Sequence, residues 1–134
     1  MVLEQQVANR VNIEGEIMHK AKVLAIHCID LRFQQTIDQD LEQKAGYGHF
    51  DRIAWPGASL DFDNVKKSAL ISLKLHDPDQ IEIYEHEDCG AYGNDNSPSL
   101  HKANAQRLAD ALIETKPDLK VETLLVTFDG IQKL

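Results

Sequence analysis

The sequence predicts an α/β fold in which a mostly parallel sheet of four to five strands is covered by helices. Two observations lead to this class: a short, almost continuous apolar run at residues 22–29, and the alternation of helix-like and strand-like segments after it. Strands that alternate with helices are joined by right-handed crossovers, which make neighbouring strands parallel. With 134 residues, the chain is expected to form one domain, residues 1–134.

Four segments have the patterns of strands. The run KVLAIHCI at 22–29 is typical of a strand buried on both faces of a parallel sheet. The other predicted strands are 50–54, 80–85 and 121–128. In the third strand, alternation predicts Ile81 and Ile83 on a buried face and Glu82 and Tyr84 on a wetter face.

Helical patterns cover three further segments and, more weakly, the start of the chain. Two helices are predicted at 34–44 and 61–75. A third begins after Ser97, the expected N-cap, with Pro98 at its first position. Residues 1–20 carry a weak apolar stripe and are predicted to form a helical arm, packed on a partner subunit or on the chain's own core.

Charge and cysteine content restrict the partners and the compartment. Lys and Arg number 14 against 22 Asp and Glu, and the net charge of −8 argues against binding to nucleic acid. Glu4, Glu14 and Glu16 interrupt the first twenty residues, so no signal peptide or membrane span is expected. Two cysteines cannot form a disulfide framework and fit a reducing compartment. We therefore expect a cytoplasmic protein.

Polar side chains with chemical capability follow the first strand. Cys28, Asp30 and Arg32 are spaced two residues apart. If the backbone stays extended there, this spacing places a thiol, a carboxylate and a guanidinium on one side of the chain. Three such groups facing one way indicate a functional site.

A second group of polar side chains follows the third strand. His86 and Cys89 are close enough to bind one ion in a turn. Because ligands bind at the carboxyl ends of parallel strands, Cys28 converges with both if the two strands are neighbours. Two thiolates and an imidazole suit zinc, and three protein ligands with an open fourth position are typical of catalytic zinc. The alternative is two cysteines packed in the core and a hydrogen-bonded histidine.

The charge of such a site suggests a role for the neighbouring ion pair. Zinc with two thiolates and a neutral imidazole is formally neutral, so a bound water can be acidified toward a pKa of about 7. If Asp30 also bound, the site would be anionic with no vacant position. Arg32 can hold Asp30 by a bidentate contact. We hypothesise a gate in which the paired Asp30 leaves the site open and the released Asp30 closes it.

The two motifs together resemble those of the β-class carbonic anhydrase family. Residues 28–32 read CIDLR and residues 86–91 read HEDCGA, matching C-x-D-x-R and H-x-x-C-G-A. The order of strands and helices is similar to that of the family from about residue 22 to residue 130. The chain resembles a short, divergent member, with Trp55-Pro56-Gly57 where the family commonly has Arg-Asn-Ala-Gly.

The resemblance implies a zinc enzyme that reversibly hydrates carbon dioxide to bicarbonate by a zinc-bound hydroxide. The implied metal ligands are Cys28, His86 and Cys89. Asp30 and Arg32 would be the catalytic dyad that orients the hydroxide, and Gly57 would belong to the substrate-binding turn. The resemblance also implies a homodimer or a higher homo-oligomer.

Other functions remain open at this stage. A related enzyme would hydrolyse carbonyl sulfide or carbon disulfide. A zinc-binding or interaction domain without activity would keep Asp30 on the metal. A redox dithiol would join Cys28 and Cys89 in a disulfide and bind no metal.

Three further polar residues have predicted positions. His49, in a glycine-containing loop, is a candidate proton shuttle because histidine titrates near neutral pH. Asp88 is expected either to order turn amides or to be solvated, and His101 is expected at the surface.

Overall fold

A computed structural model describes residues 19–134, so most of the predicted N-terminal arm, residues 1–20, lies outside the described residues. A five-stranded sheet has the order β2-β1-β3-β4-β5. Its strands are Val23–His27 (β1), Phe50–Ala54 (β2), Gln80–His86 (β3), Lys120–Thr127 (β4) and Gly130–Lys133 (β5). Strands β1 to β4 are parallel and β5 pairs antiparallel with β4, which confirms the predicted fold class.

Helices cover both faces of this sheet. They are Gln34–Lys44 (α1), Phe62–His76 (α2) and Pro98–Thr115 (α3). Helices α2 and α3 pack together on one face, and α1 packs on the other. Ser97 caps α3 as predicted, because its Oγ accepts a hydrogen bond from the Leu100 amide at 3.3 Å. Among residues 19–134, no helix is long and apolar enough to cross a lipid bilayer.

The carboxyl ends of three neighbouring strands lead into short 3-10 turns. These turns are Leu31–Phe33, Ala58–Leu60 and Gly90–Tyr92, and they follow β1, β2 and β3 respectively. Strand β1 lies between β2 and β3, so the connection after β1 runs to one side of the sheet and the connection after β2 runs to the other side. Such a point opens a crevice at the carboxyl edge, where ligands bind in open α/β sheets. The fold therefore places both sequence motifs at one crevice.

The predicted wetter face of the third strand is buried, and that prediction was wrong. Glu82 and Tyr84 both have an exposed fraction of 0%. Helix α1 covers this face: the Tyr84 hydroxyl donates to Asp40 at 2.6 Å, and Lys44 Nζ lies 3.3 Å from Glu82 Oε2. Glu82 and Tyr84 are thus buried because side chains of α1 bind their polar groups. The sequence pattern of the strand alone does not reveal these partners.

The buried Glu82 predicts a pH-dependent stability. Burial is the largest cause that raises the pKa of Glu82 from 4.5 to about 7. The contribution of this group to wild-type stability is therefore full below about pH 4.5 and declines as the pH rises through 7. Glu82→Gln removes the decline, so its free energy of unfolding relative to wild type should rise between pH 5 and pH 8 by up to about 3 kcal/mol. Urea unfolding at both pH values measures this, with exposed Glu42→Gln as the control. A relative stability that does not change with pH would contradict the prediction.

Candidate metal centre

Three potential metal ligands meet at the carboxyl ends of β1 and β3. Cys28 follows β1, His86 ends β3, and Cys89 lies in the loop after it. One ligand atom from each lies within 4.8 Å of the others, and all three residues are buried. The Sγ atoms of the two cysteines are 4.0 Å apart, and both are free thiols. The structure thus brings together the three residues that the sequence motifs single out.

The ring of His86 is oriented for metal binding. Its Nδ1 lies 2.7 Å from the carbonyl oxygen of Glu87, and since a carbonyl only accepts, Nδ1 is the donor. Nε2 then carries the lone pair, and it is buried without a hydrogen-bond partner among the described residues. Phe33 stacks on the ring with centroids 4.6 Å apart. A histidine fixed through one nitrogen with the other one unsatisfied is the usual arrangement of a metal ligand.

The donor set fits zinc. Two sulfurs bound tetrahedrally at about 2.3 Å from zinc lie about 3.8 Å apart, close to the 4.0 Å between Cys28 and Cys89. Burial opposes ionisation of Cys28, but the neighbouring His86 ring and hydrogen bonds from the Gly57 and Asp30 amides together lower its pKa to about 7. Burial raises the pKa of Cys89 to about 11. A bound cation must therefore displace a proton from Cys89 at neutral pH.

Asp30 and Arg32 meet through a turn and not through an extended strand. Strand β1 ends at His27, and Asp30 caps the 3-10 turn that contains Arg32, so the backbone does not stay extended as far as Arg32. Asp30 Oδ1 accepts from the Arg32 amide at 3.0 Å, and Asp30 Oδ2 accepts from Arg32 Nη2 at 2.7 Å. These hydrogen bonds lower the pKa of Asp30 to about 2. Asp30 Oδ2 also lies 3.9 Å from His86 Nε2 and so faces the donor cluster.

Asp88 binds the same guanidinium group of Arg32 as Asp30 does. Arg32 Nη1 donates to Asp88 Oδ2 at 3.0 Å, and Arg32 Nη2 donates to the Asp88 carbonyl at 2.9 Å. The guanidinium carbon also lies 5.4 Å from the ring centres of both Phe33 and Phe128. Asp88 therefore binds the Arg32 side chain, and 71% of its own side chain is exposed, in line with the solvated alternative.

Gly57 contacts the candidate ligand Cys28 through its backbone. It follows β2 with a φ of +80°, and its N–H donates to Cys28 Sγ at 3.3 Å. A cavity of about 450 Å³ opens beside the donors. The residues that line it are Cys28, Ile29, Asp30, Leu31, Pro56, Gly90 and Ala91. The predicted substrate-binding residue thus directs its amide to a ligand sulfur, and Pro56 lines the cavity.

Gly57→Ala is expected to damage the site. A Cβ at this position would lie 2.8 Å from Leu60 Cβ, and a φ of +80° strains any residue that carries a Cβ. We expect a loss of about 1–3 kcal/mol in the free energy of unfolding and weaker zinc binding, because the amide leaves Cys28. Thermal unfolding and zinc titration measure both effects. Gly48→Ala is the control, since Gly48 also has a positive φ, +86°, but a Cβ there meets nothing within 4 Å. Equal losses of zinc binding in both variants would contradict the assignment.

One histidine lies too far from the crevice for its predicted role, and another is buried where exposure was predicted. His49 directly precedes β2, at the amino edge of the sheet. Five residues at about 3.3 Å each separate it from the crevice, so it is not placed to shuttle protons there. His101, expected at the surface, is 1% exposed. Its Nδ1 lies 2.7 Å from Glu85 Oε1.

Comparison with known proteins gives a family match over most of the chain. The family model described as "Putative carbonic anhydrase" matches residues 18–132. A Rickettsia conorii protein, "Uncharacterized protein RC0076", is 27% identical over 93% of this chain and 81% of its own length. "Putative carbonic anhydrase YvdA" of Bacillus subtilis is 25% identical over 84% of this chain and 58% of its own length.

Solved structures share the fold at low sequence identity. The β-carbonic anhydrase isoform I of Trichomonas vaginalis superposes with a TM-score of 0.65 at 14% identity, covering 97% of this chain and 91% of that one. A carbon disulfide hydrolase in its apo form gives 0.62 at 14% identity, over 98% and 86%. One of two tetrameric β-carbonic anhydrases of Sordaria macrospora gives 0.50 at 15% identity, over 98% and 85%.

Proposed function

We propose that this chain, which belongs to the carbonic anhydrase family whose model it matches, is a zinc enzyme that reversibly hydrates carbon dioxide to bicarbonate and a proton. Cys28, His86 and Cys89 are the proposed zinc ligands. The observation that carries the proposal is the convergence of their donor atoms within 4.8 Å at the ends of two adjacent parallel strands. Because the described residues start at 19, a single zinc-binding domain over residues 1–134 remains a prediction.

The proposed chemistry divides between the metal and the ion pair. Zinc in a three-ligand site supplies Lewis acidity that lowers the pKa of water to about 7. Asp30 Oδ2 faces the donor cluster and accepts a hydrogen bond from the attacking oxygen, which orients that oxygen toward the substrate carbon. Arg32 is bound to both oxygens of Asp30 and to Asp88, so it keeps the carboxylate ionised and away from the metal.

The cavity beside the donors suits a small apolar substrate. Ile29, Leu31 and Pro56 form part of its lining next to Asp30. Carbon dioxide has no charge or net dipole, so it loses little by leaving water for such a surface. Bicarbonate is an anion and is held less well by the same surface. This difference favours binding of carbon dioxide and release of the product.

Metal analysis followed by kinetics tests the proposal. Protein purified without chelator is expected to contain one zinc per chain by elemental analysis. Stopped-flow measurement with a pH indicator is expected to show hydration above the buffer rate. A zinc-loaded protein with no activity from acid to alkaline pH would refute the carbonic anhydrase activity, and a protein without metal would refute the whole proposal.

Hydrolysis of carbon disulfide or carbonyl sulfide is the second candidate function. It is supported by the fold similarity to the carbon disulfide hydrolase and by the apolar lining of the cavity, since these substrates are also small and linear. Release of hydrogen sulfide from either compound, measured beside hydration of carbon dioxide in the same preparation, distinguishes the two activities.

A homo-oligomer is the proposed assembly. Large apolar side chains near the crevice are exposed, among them Leu31 at 83% and Phe128 at 62%. Large exposed apolar side chains are the kind of surface that an interface covers, and the Sordaria macrospora proteins of similar fold are described as tetrameric. Analytical ultracentrifugation of the full chain measures the mass, and a monomer at micromolar concentration would contradict this assembly.

A further inference from the structure

A buried glutamate lies beside the candidate metal centre on the other face of the sheet. Glu85 precedes the ligand His86 on β3, and the alternation of the strand directs its side chain to the face of Ile81 and Ile83. Its side chain is 0% exposed. An apolar side chain would be the usual occupant of this buried position. The contacts of the Glu85 carboxylate show why a glutamate is found there.

Four hydrogen bonds surround the Glu85 carboxylate. Oε2 accepts from the Ser59 hydroxyl at 2.7 Å and from the Ser59 amide at 3.2 Å. Oε1 accepts from the Tyr92 hydroxyl at 2.8 Å and lies 2.7 Å from His101 Nδ1. A buried carboxylate is tolerated only when its charge and its lone pairs have partners. In Glu85 each of the two carboxylate oxygens has two such partners.

The two oxygens hold two loops that border the candidate metal centre. Ser59 lies two residues after Gly57, whose amide donates to Cys28 Sγ. Tyr92 ends the 3-10 turn that begins directly after Cys89. The loops also approach each other, since a Cβ built on Gly57 would lie 3.3 Å from Ala91 Cβ. One carboxylate therefore fixes the loop that contacts the first thiol and the turn that carries the second.

We propose that Glu85 is a positioning residue that sets the separation and orientation of the two thiol ligands by clamping Ser59 on one side and Tyr92 on the other. This inference rests on the proposed function, in that Cys28 and Cys89 bind zinc. Glutamine at the same position keeps the shape, but its NH₂ group faces the donors on one side. On that side the Ser59 amide or the His101 ring loses its acceptor and the hydroxyl must reverse its hydrogen bond, which weakens the anchor of that loop.

Metal affinity and a spectroscopic signature test this role apart from activity. Glu85→Gln is expected to lower the affinity for zinc about 10- to 100-fold, measured by competition with a chromophoric chelator. It is also expected to shift the thiolate-to-metal charge-transfer band of the cobalt-substituted protein. Glu82→Gln is the matched control, because Glu82 is also a fully buried glutamate on β3 but contacts Lys44 on the other face. The control should leave both readouts at wild-type values.

A second pair of variants keeps the test decisive if Glu85→Gln does not fold. Ser59→Ala removes one donor to Oε2 and is expected to weaken zinc binding. Ser72→Ala removes a buried hydroxyl that donates to Asp51 at 2.6 Å, near the amino edge of the sheet, and should leave zinc binding unchanged.

The outcomes separate this inference from the proposed function. Wild-type zinc affinities and unchanged cobalt spectra in Glu85→Gln and Ser59→Ala would overturn the positioning role. Losses of zinc affinity of the same size in the controls Glu82→Gln and Ser72→Ala would overturn it as well. A wild-type chain that binds zinc and shows the expected differences but does not hydrate carbon dioxide would support the positioning role and refute the proposed activity. A wild-type chain that binds neither ion would overturn both.

Discussion

Cys89→Ser is expected to remove zinc from the protein and to reduce the hydration rate to that of buffer. A serine hydroxyl does not ionise near neutral pH, so the site would keep one sulfur and one nitrogen donor, too few to hold zinc against a chelator. Cys28→Ser and His86→Gln are expected to have the same effect, because the three donors form one group within 4.8 Å. Elemental analysis after dialysis against chelator measures the metal, and stopped-flow kinetics measures the rate.

A matched histidine variant separates ligand loss from general damage. Like His86, His76 makes a close polar contact through its ring, since its Nδ1 lies 2.8 Å from Asp51. It lies at the amino edge of the sheet, away from the candidate metal centre. His76→Gln should therefore retain zinc and activity, while all variants should give a folded circular dichroism spectrum. Zinc retained in Cys89→Ser, or lost equally in His76→Gln, would contradict the assigned ligands.

The candidate metal centre could be predicted because its parts lie next to strand ends in the sequence. Both cysteines lie at the ends of segments with strand patterns, and the convergence of Cys28 with His86 and Cys89 then required only that these strands be neighbours. Strands β1 and β3 are paired in parallel, so local pattern and topology lead to the same place.

The arrangement around the metal centre could not be predicted in the same way. Glu85 contacts Ser59, Tyr92 and His101, which belong to three different elements and lie 26, 7 and 16 residues away in the sequence, and no pattern within one strand or helix encodes such contacts. One signal was present: a glutamate continues the buried stripe of Ile81 and Ile83, which indicates a paired buried charge.

Helix α3 shows why a helical stripe can be assigned to the wrong phase. The apolar residues after Ser97, namely Leu100, Ala103, Leu108, Ala111 and Leu112, predict a buried side, and of these Leu108 and Leu112 are buried whereas the other three are not. The buried positions of α3 are His101, Ala105, Leu108, Ala109 and Leu112. Because the first of these positions is His101, the buried face of the helix does not read as apolar in the sequence. The burial of His101 depends on its contact with Glu85, which the sequence does not reveal.

Arg32→Gln is expected to lower the hydration rate about 100-fold while zinc remains bound. Arg32 makes hydrogen bonds to both oxygens of Asp30 and to Asp88, so without the guanidinium Asp30 is free to turn toward the metal ligands, 3.9 Å from His86 Nε2 at present. A carboxylate on the metal would take the open position. Azide should then fail to shift the spectrum of the cobalt-substituted variant, whereas it should shift that of the wild type.

Two further variants distinguish closure by Asp30 from a simple loss of charge. Arg52→Gln removes an arginine that pairs with Asp38 and lies 5.4 Å from the ring of Phe50, the same kinds of contact that Arg32 makes, but at the edge strand β2. It should leave rate and azide binding unchanged.

The double variant Asp30→Ala with Arg32→Gln should regain azide binding but not the rate, because the position reopens while the hydrogen-bond acceptor for the attacking oxygen is gone. Azide binding retained in Arg32→Gln would show that Asp30 does not close the site, and the role of Arg32 would then be limited to holding the acceptor in place.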